Sequence, residues 1–296
     1  MRRVVWIVII VYLAALAASH VLSGSRHVSP ARSVRVANGD GATMAYSEWA
    51  APVADAPVMV LLHGSPGESG NFAKLAPLLT ARGYRVIAPD LLGFGKSTLR
   101  VADHSIRAQG RAVASLLEQI GVNKAHVVGW SNGGGAAMWL AHDQPERVAS
   151  LTLMGSIGEQ RFEGSGNYYV EHVKYRVGFV LIGGVPELLP HFGALGRFDE
   201  RVGWLRNFAQ SDQREIAGLL DELSQRGVGE RTLVLHGAGD VLVRAESAEA
   251  MHAKLAGSTL VMLDANHFLP FQQAETTADV VDRFVRGEMT EQVTRE

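Results

Sequence analysis

The sequence contains no cysteine among its 296 residues. This absence excludes disulfides, thiolate metal sites and a cysteine nucleophile, and it leaves the redox compartment undetermined. A large charge of one sign is also absent, because 28 Lys and Arg residues are balanced by 30 Asp and Glu residues for a formal net charge of −2. The chain has no basic field to attract a polyanion, so we expect no nucleic-acid partner.

Apolar residues, by contrast, are abundant and make up 47% of the chain. This content is sufficient for one large α/β core, since such folds often exceed 200 residues as a single domain. We expect an N-terminal segment over residues 1–23, a polar linker over 24–33 and a catalytic domain over 34–296.

The N-terminal segment follows Arg2 and Arg3 with a nearly unbroken apolar run over residues 4–22. A membrane-spanning helix needs about 20 such residues, so the run predicts an N-terminal apolar helix that anchors the protein in a membrane. A secreted protein is the alternative, because Ala15-Leu16-Ala17 resembles a signal-cleavage site, and a membrane-bound hairpin or a buried core helix is a third interpretation. The flanking arginines nearly balance, and we expect the catalytic domain outside the cytoplasm.

The order of elements predicts the fold class. Two short strand-like runs, 34–37 and 43–49, flank a turn and indicate an antiparallel hairpin. From residue 58 onward, apolar strand-like runs alternate with helical segments, with strands at 58–62, 84–88, 125–128, 148–154, 232–235 and 259–263. Such alternation predicts a parallel sheet that carries helices on both faces.

Residues 157–208 interrupt this alternation. Aromatic and aliphatic residues are mixed there with Gly183-Gly184, Pro186 and Pro190. Long insertions in compact domains are often lids over a functional site, so we expect a cap over the sheet. A loop with a small core of its own is the alternative.

A nucleophile is indicated by Gly129-Trp130-Ser131-Asn132-Gly133, a G-x-S-x-G pattern between a buried strand and a helix. A serine on such a sharp strand-to-helix turn is presented above the sheet, and the glycines avoid clashes with the neighbouring chain. We therefore expect Ser131 to be the nucleophile.

A serine nucleophile requires a base, and the base requires a carboxylate that orients it. His267 follows the predicted strand 259–263, and Asp240 follows the strand 232–235, so both lie at the same sheet edge as Ser131. We expect His267 to be the general base and Asp240 the acid. Asp264 is the rival acid, but it is only three residues before His267.

Two backbone N–H groups, those of Ser65 and Asn132, are expected to form the oxyanion hole. Pro66 has no N–H group to donate. The histidines His63 and His236 lack the spacing and the carboxylate of a metal motif. We therefore expect no metal site, and no cofactor is predicted.

These segments together resemble the α/β-hydrolase superfamily and its cap-bearing serine esterase and lipase-like group. The resemblance rests on the His63-Gly64 loop, the segment 89–97 and the loops at Ser131, Asp240 and His267. It implies an α/β-hydrolase fold with a mostly parallel eight-stranded sheet and a cap after the sixth strand. Relatives that open epoxides or remove halides use an aspartate at the position of Ser131, which argues against those reactions.

The expected function is hydrolysis of a carboxylic ester through an acyl-enzyme. Trp130 and Phe268 are expected to line the substrate pocket, and apolar walls favour an apolar acyl ester or a monoacylglycerol. The alternatives are a carbon–carbon bond hydrolase or a perhydrolase with the same three residues, and a ligand-binding protein without catalysis. The expected partners are a small ester substrate and, through residues 4–22, a membrane.

Overall fold

The computed structural model describes residues 2–24, 32–35, 41–53, 55–178, 181, 198–211, 214–289 and 293–295. In this part of the chain nine strands, β1 to β9, span Arg32–Arg35, Thr43–Trp49, Val58–Leu62, Arg85–Pro89, Ala125–Trp130, Val148–Met154, Thr232–Gly237, Thr259–Leu263 and Val293–Arg295. Ten α-helices, α1 to α10, span Arg2–Gly24, Leu75–Ala81, Ile106–Gln119, Asn132–Asp143, Tyr168–Gly178, Phe198–Gln210, Arg214–Gln225, Ala245–Lys254, Leu269–Gln272 and Ala274–Val285.

The strands form one sheet in the order β1-β2-β4-β3-β5-β6-β7-β8-β9. The pairs of β2 with β1 and with β4 are antiparallel, and the other pairs are parallel. The predicted mostly parallel sheet is therefore confirmed. The count of eight strands differs from the nine described, because β9 pairs with β8 although Val-Thr-Arg carries no apolar run.

The sheet is buried on both faces, as the continuous apolar strands predicted. Side chains alternate along β3, so that Met59 and Leu61 face a core shared with α2 and α10. Val60 and Leu62 face the opposite core, shared with α3 and α4. Because these strands run parallel, their carboxyl ends lie at one edge of the sheet, where the loops that follow them meet.

The predicted membrane anchor is wrong. Helix α1 spans Arg2–Gly24, and its side chains are described over residues 3–14. Among the residues that the structure describes, no helix is both long enough and apolar enough to cross a membrane. The expected membrane partner and the placement of an anchored domain outside the cytoplasm are corrected with it.

The segment between β6 and β7 contains α5, α6 and α7. Residues 179, 180 and 182–197 of the predicted insertion lie outside the described residues. Helix α7, Arg214–Gln225, was not predicted, although its buried residues show the spacing of an amphipathic helix: Ile216, Leu219, Leu220 and Leu223. This pattern was the signal in the sequence that could have identified the helix.

Packing of α3 against the sheet provides a test of the fold. Leu117 is fully buried in this helix, whereas Glu118 beside it is exposed. We expect Leu117→Ala to lower the free energy of unfolding by about 2–5 kcal/mol, because it removes buried methyl groups and leaves a cavity. Glu118→Ala is the control and should stay within about 0.5 kcal/mol of the unmodified chain. Urea unfolding of both variants measures the difference, and equal losses would contradict the packing described.

Candidate active site

Ser131 lies at the sharp turn between β5 and α4. Its backbone has φ 56° and ψ −123°, a left-handed region in which a side chain is strained. If Gly129 carried a side chain, its Cβ atom would lie 2.5 Å from the carbonyl oxygen of Gly133. A Cβ atom added to Gly133 would lie 2.3 Å from the carbonyl oxygen of Leu62. Only glycine fits at these two positions, so the G-x-S-x-G pattern has a direct steric cause.

Asp240 and His267 form a buried pair at the ends of β7 and β8. His267 Nδ1 lies 2.6 Å from Asp240 Oδ2. The other carboxylate oxygen, Oδ1, accepts hydrogen bonds from the backbone N–H groups of Leu242 at 2.8 Å and Val243 at 2.9 Å. Burial raises the pKa of Asp240, but the hydrogen bonds and the His267 ring outweigh it and hold that pKa below its ordinary value.

Ser131 and this pair adjoin the same turn after β6. The backbone N–H of Ser131 donates to the carbonyl of Met154 at 3.0 Å. A Cβ atom on the next residue, Gly155, would lie 3.5 Å from His267 Nδ1 and 3.6 Å from Asp240 Oδ2. The structure therefore brings Ser131, Asp240 and His267 to one edge of the sheet.

Asp264, the rival acid, lies differently. Its side chain is exposed to solvent, and His267 Nδ1 contacts Asp240 instead. The geometry thus favours Asp240 as the partner of the histidine.

The loop after β3 lies directly beside Ser131. A Cβ atom at Gly64 would lie 3.0 Å from the Cβ of Ser131. His63 supports this loop, since its Nδ1 donates to the Gly64 carbonyl at 2.7 Å and its Nε2 accepts from the N–H of Leu91 at 2.9 Å. Burial lowers the pKa of His63. The loop that carries Ser65 therefore adjoins Ser131, and Asn132 follows Ser131 in the chain.

The two predicted pocket residues differ in exposure. Trp130 is 5% exposed, and its Nε1 donates to the His267 carbonyl at 2.9 Å. Its ring packs against those of His267 and Phe271. Phe268 is 41% exposed, so it is the one of the two that a ligand in solution can reach.

His236 adjoins Asp240, a contact that the sequence did not predict. Its Nε2 donates to the carbonyl of Val243 at 2.9 Å and lies 3.4 Å from Asp240 Oδ2. The side chain is fully buried, and burial lowers its pKa. Its position four residues before Asp240, at a strand end, was the available signal.

A second unpredicted group is Glu163, a buried carboxyl in the segment after β6. Its Oε1 accepts a hydrogen bond from the N–H of Gly158 at 2.8 Å, and its backbone pairs with Val243 in the loop that follows Asp240. Burial and the nearby carboxylates of Glu159 and Glu171 raise the pKa of Glu163 to about 7 despite that hydrogen bond.

Comparisons with known proteins show what this chain is similar to. Residues 57–173 match the family model described as alpha/beta hydrolase fold. A 2-hydroxy-6-oxononadienedioate/2-hydroxy-6-oxononatrienedioate hydrolase of Paraburkholderia xenovorans is 38% identical over 138 residues, which are 45% of this chain and 47% of that protein. The dihydrolipoyllysine-residue acetyltransferase component of the acetoin cleaving system of Cupriavidus necator is 30% identical over 252 residues, which are 78% of this chain and 64% of that protein. The matches thus span about half to two thirds of these curated relatives.

Solved structures agree on the fold. A thermophilic esterase of Thermogutta terrifontis has a TM-score of 0.69 at 21% identity, over 88% of this chain and 99% of that one. A meta-cleavage product hydrolase has a TM-score of 0.67 at 22% identity, over 86% of this chain and 98% of that one. At such identities the likeness concerns the architecture alone.

The raised pKa of Glu163 predicts a pH-dependent stability. An acid whose folded pKa exceeds its unfolded pKa stabilises the fold fully below the unfolded value, near 4.5, and this stabilisation is lost as pH rises through about 7. We expect the free energy of unfolding to fall between pH 5 and 8 by up to about 3 kcal/mol more than in Glu163→Gln. Urea unfolding at several pH values measures this, with the exposed Glu118→Gln as control. Parallel curves for the unmodified chain and Glu163→Gln would refute the prediction.

Proposed function

We propose that this chain is a serine hydrolase that cleaves a carboxylic ester through an acyl-enzyme, because residues 57–173 match the alpha/beta hydrolase fold model and a solved esterase shares the fold. The observation that carries the proposal is the buried His267–Asp240 pair, with 2.6 Å between Nδ1 and Oδ2, at the sheet edge where Ser131 occupies its left-handed turn.

Each residue of the site has a distinct role in the proposed reaction. Ser131 Oγ attacks the ester carbonyl while His267 takes its proton, and Asp240 stabilises the imidazolium that forms. The backbone N–H groups of Ser65 and Asn132 stabilise the oxyanion. His267 then protonates the departing alcohol, and water attacks the acyl-enzyme with His267 again as base.

The surroundings of His267 favour an uncharged acyl group. Trp130, Phe268 and Phe271 cluster beside it, and aromatic walls bind apolar substrates better than charged ones. An apolar acyl ester or a monoacylglycerol fits this description. We further propose that residues 157–208 act as a cap, since α6 in this segment contacts the residue after the nucleophile through Asn207.

Carbon–carbon bond hydrolysis is the second candidate. It is favoured by the relative from Paraburkholderia xenovorans, whose name describes a hydrolase of a 2-hydroxy-6-oxo dienedioate. The same serine, base and acid would serve, because both reactions pass an acyl group to water.

The reaction class can be tested with two sets of substrates. We expect the chain to hydrolyse a series of p-nitrophenyl esters, and Ser131→Ala to reduce kcat by a factor on the order of 10³ or more, because the nucleophile is lost. The exposed Ser165→Ala is the control. If a 2-hydroxy-6-oxo dienoate is turned over with a higher kcat/KM than every ester, the second candidate replaces the first.

The identity of the acid can be tested with two matched substitutions. Asp240→Asn keeps the shape but removes the charge and holds the wrong tautomer of His267, so we expect kcat to fall by on the order of 10³–10⁴. Asp264→Asn makes the same change at an exposed site and should leave kcat near that of the unmodified chain. Steady-state ester hydrolysis compares them, and a larger loss in Asp264→Asn would reverse the assignment.

A further inference from the structure

The peptide unit between Ser131 and Asn132 carries one of the N–H groups that we propose for the oxyanion hole. A peptide unit is planar, and its N–H points away from its carbonyl. The carbonyl oxygen of Ser131 accepts hydrogen bonds from the N–H groups of Gly134 at 3.0 Å and Ile157 at 3.2 Å. These two bonds fix the carbonyl end of the unit, and its other end is the Cα atom of Asn132.

The side chain of Asn132 provides a third attachment for this peptide unit. Asn132 is 1% exposed, and its Nδ2 donates to Asn207 Oδ1 at 2.8 Å. Its Oδ1 has no hydrogen-bond partner among the residues that the structure describes, so Asn207 is the one partner of this side chain there. Loss of the Asn207 amide would leave a buried donor unpaired and the Asn132 side chain free to turn.

The Asn207 amide has one orientation, which His104 sets. The carbonyl oxygen of His104 can only accept, so the atom of Asn207 that faces it at 2.7 Å is Nδ2. The Oδ1 of Asn207 therefore faces Asn132 as an acceptor. Asn207 is fully buried, and its amide thus connects the loop before α3 with the first residue of α4.

The end of α6 is attached to the same loop by further hydrogen bonds. The N–H of His104 donates to Gln210 Oε1. The N–H of Ile106 donates to Ser211 Oγ at 3.0 Å. Ser211 Oγ donates in turn to the backbone carbonyl of Asn207 at 2.7 Å. These bonds hold the backbone of Asn207 in place, so its amide is presented to the start of α4 at a fixed position.

We propose that Asn207 is a positioning residue for the oxyanion hole, and that it acts through the Asn132 side chain to keep the N–H of Asn132 directed at the developing negative charge. A donor stabilises an oxyanion best when it is aimed before the reaction begins. A displacement of about 1 Å in such a site can lower a rate by about 10²-fold. This inference rests on the proposed function and adds to it a residue from the segment between β6 and β7.

A purely structural role for Asn207 predicts different kinetics. Loosening of α6 lowers the stability of the fold, but it does not act selectively on the transition state. A misdirected oxyanion donor lowers kcat and leaves KM nearly unchanged, because the negative charge develops only in the transition state. The two roles are therefore distinguishable by steady-state kinetics.

The test compares Asn207→Ala with Leu205→Ala on the same helix. Leu205 is 1% exposed, and its Cδ2 faces α5, where a Cβ atom at Gly178 would lie 3.3 Å from it. We expect Asn207→Ala to lower kcat for a p-nitrophenyl ester by about 10-fold, with KM within about 2-fold of the unmodified chain. Leu205→Ala should lower stability in urea unfolding and leave kcat near that of the unmodified chain. An equal loss of kcat in both variants overturns the proposal.

A double-mutant cycle tests whether Asn207 acts through Asn132. Asn132→Ala keeps the backbone N–H and removes only the side chain that Asn207 holds. We expect Asn132→Ala to lower kcat about as much as Asn207→Ala, and the double variant to lower it no further, because residues that act as a unit are not additive. Losses of kcat that multiply in the double variant overturn the proposal.

Asn207→Asp is measured if Asn207→Ala does not fold. Its protonated carboxyl keeps an acceptor for Asn132 and a donor for the His104 carbonyl, whereas its ionised form places a second acceptor against that carbonyl. Burial raises the pKa of such a carboxyl. We therefore expect kcat, relative to the unmodified chain, to fall as pH rises from about 6 to 9. A ratio that does not change with pH overturns the proposal.

Labelling by a fluorophosphonate separates this inference from the proposed function. Ser131 Oγ displaces fluoride from phosphorus and passes its proton to His267, and the phosphonyl oxygen takes the place of the oxyanion. Slower labelling of Asn207→Ala, without ester hydrolysis by the unmodified chain, supports the positioning role and refutes the proposed function alone. Ester hydrolysis with equal labelling rates retains the function and overturns the positioning role. Ser131→Ala is the blank, and an unmodified chain that is not labelled overturns both.

Discussion

The backbone of Ser131 occupies a left-handed conformation, and the rest of the candidate site is arranged around that turn. The conformation is possible because β5 enters it and α4 leaves it with glycine at both flanking positions, where any side chain would meet backbone atoms. The parallel sheet, buried on both faces, holds this turn against the loop after β3. The packing of the whole sheet thus stabilises the strained backbone conformation of Ser131.

The buried carboxylate of Asp240 is the second constraint. A charge at this depth persists because two backbone N–H groups and His267 surround it. His236 fixes the same loop by its hydrogen bond to Val243. The backbone of Glu163 also pairs with Val243. The loop that carries Asp240 is therefore connected to the segment that follows β6.

Helix α6 connects the segment after β6 to Asn132, the residue after Ser131. Asn207 joins Asn132 to the loop before α3 through two buried hydrogen bonds, and Gly203 allows close contact with Gly93. These contacts pack α6 directly against the candidate site. The orientation of the Asn132 amide group is a consequence of this packing.

Local and periodic features of the sequence were sufficient for the fold class, for the turn at Ser131 and for the placement of Asp240 and His267 at one edge, because the carboxyl ends of parallel strands share that edge. Hydrophobicity alone misled the interpretation of residues 4–22, because no helix in the described part of the chain is both long enough and apolar enough to cross a membrane. Only the tertiary structure showed the contact of His267 with Asp240, the burial of Glu163 and the hydrogen bond between Asn132 and Asn207. Those contacts link residues that are distant in the chain, and no local spacing encodes which of them meet.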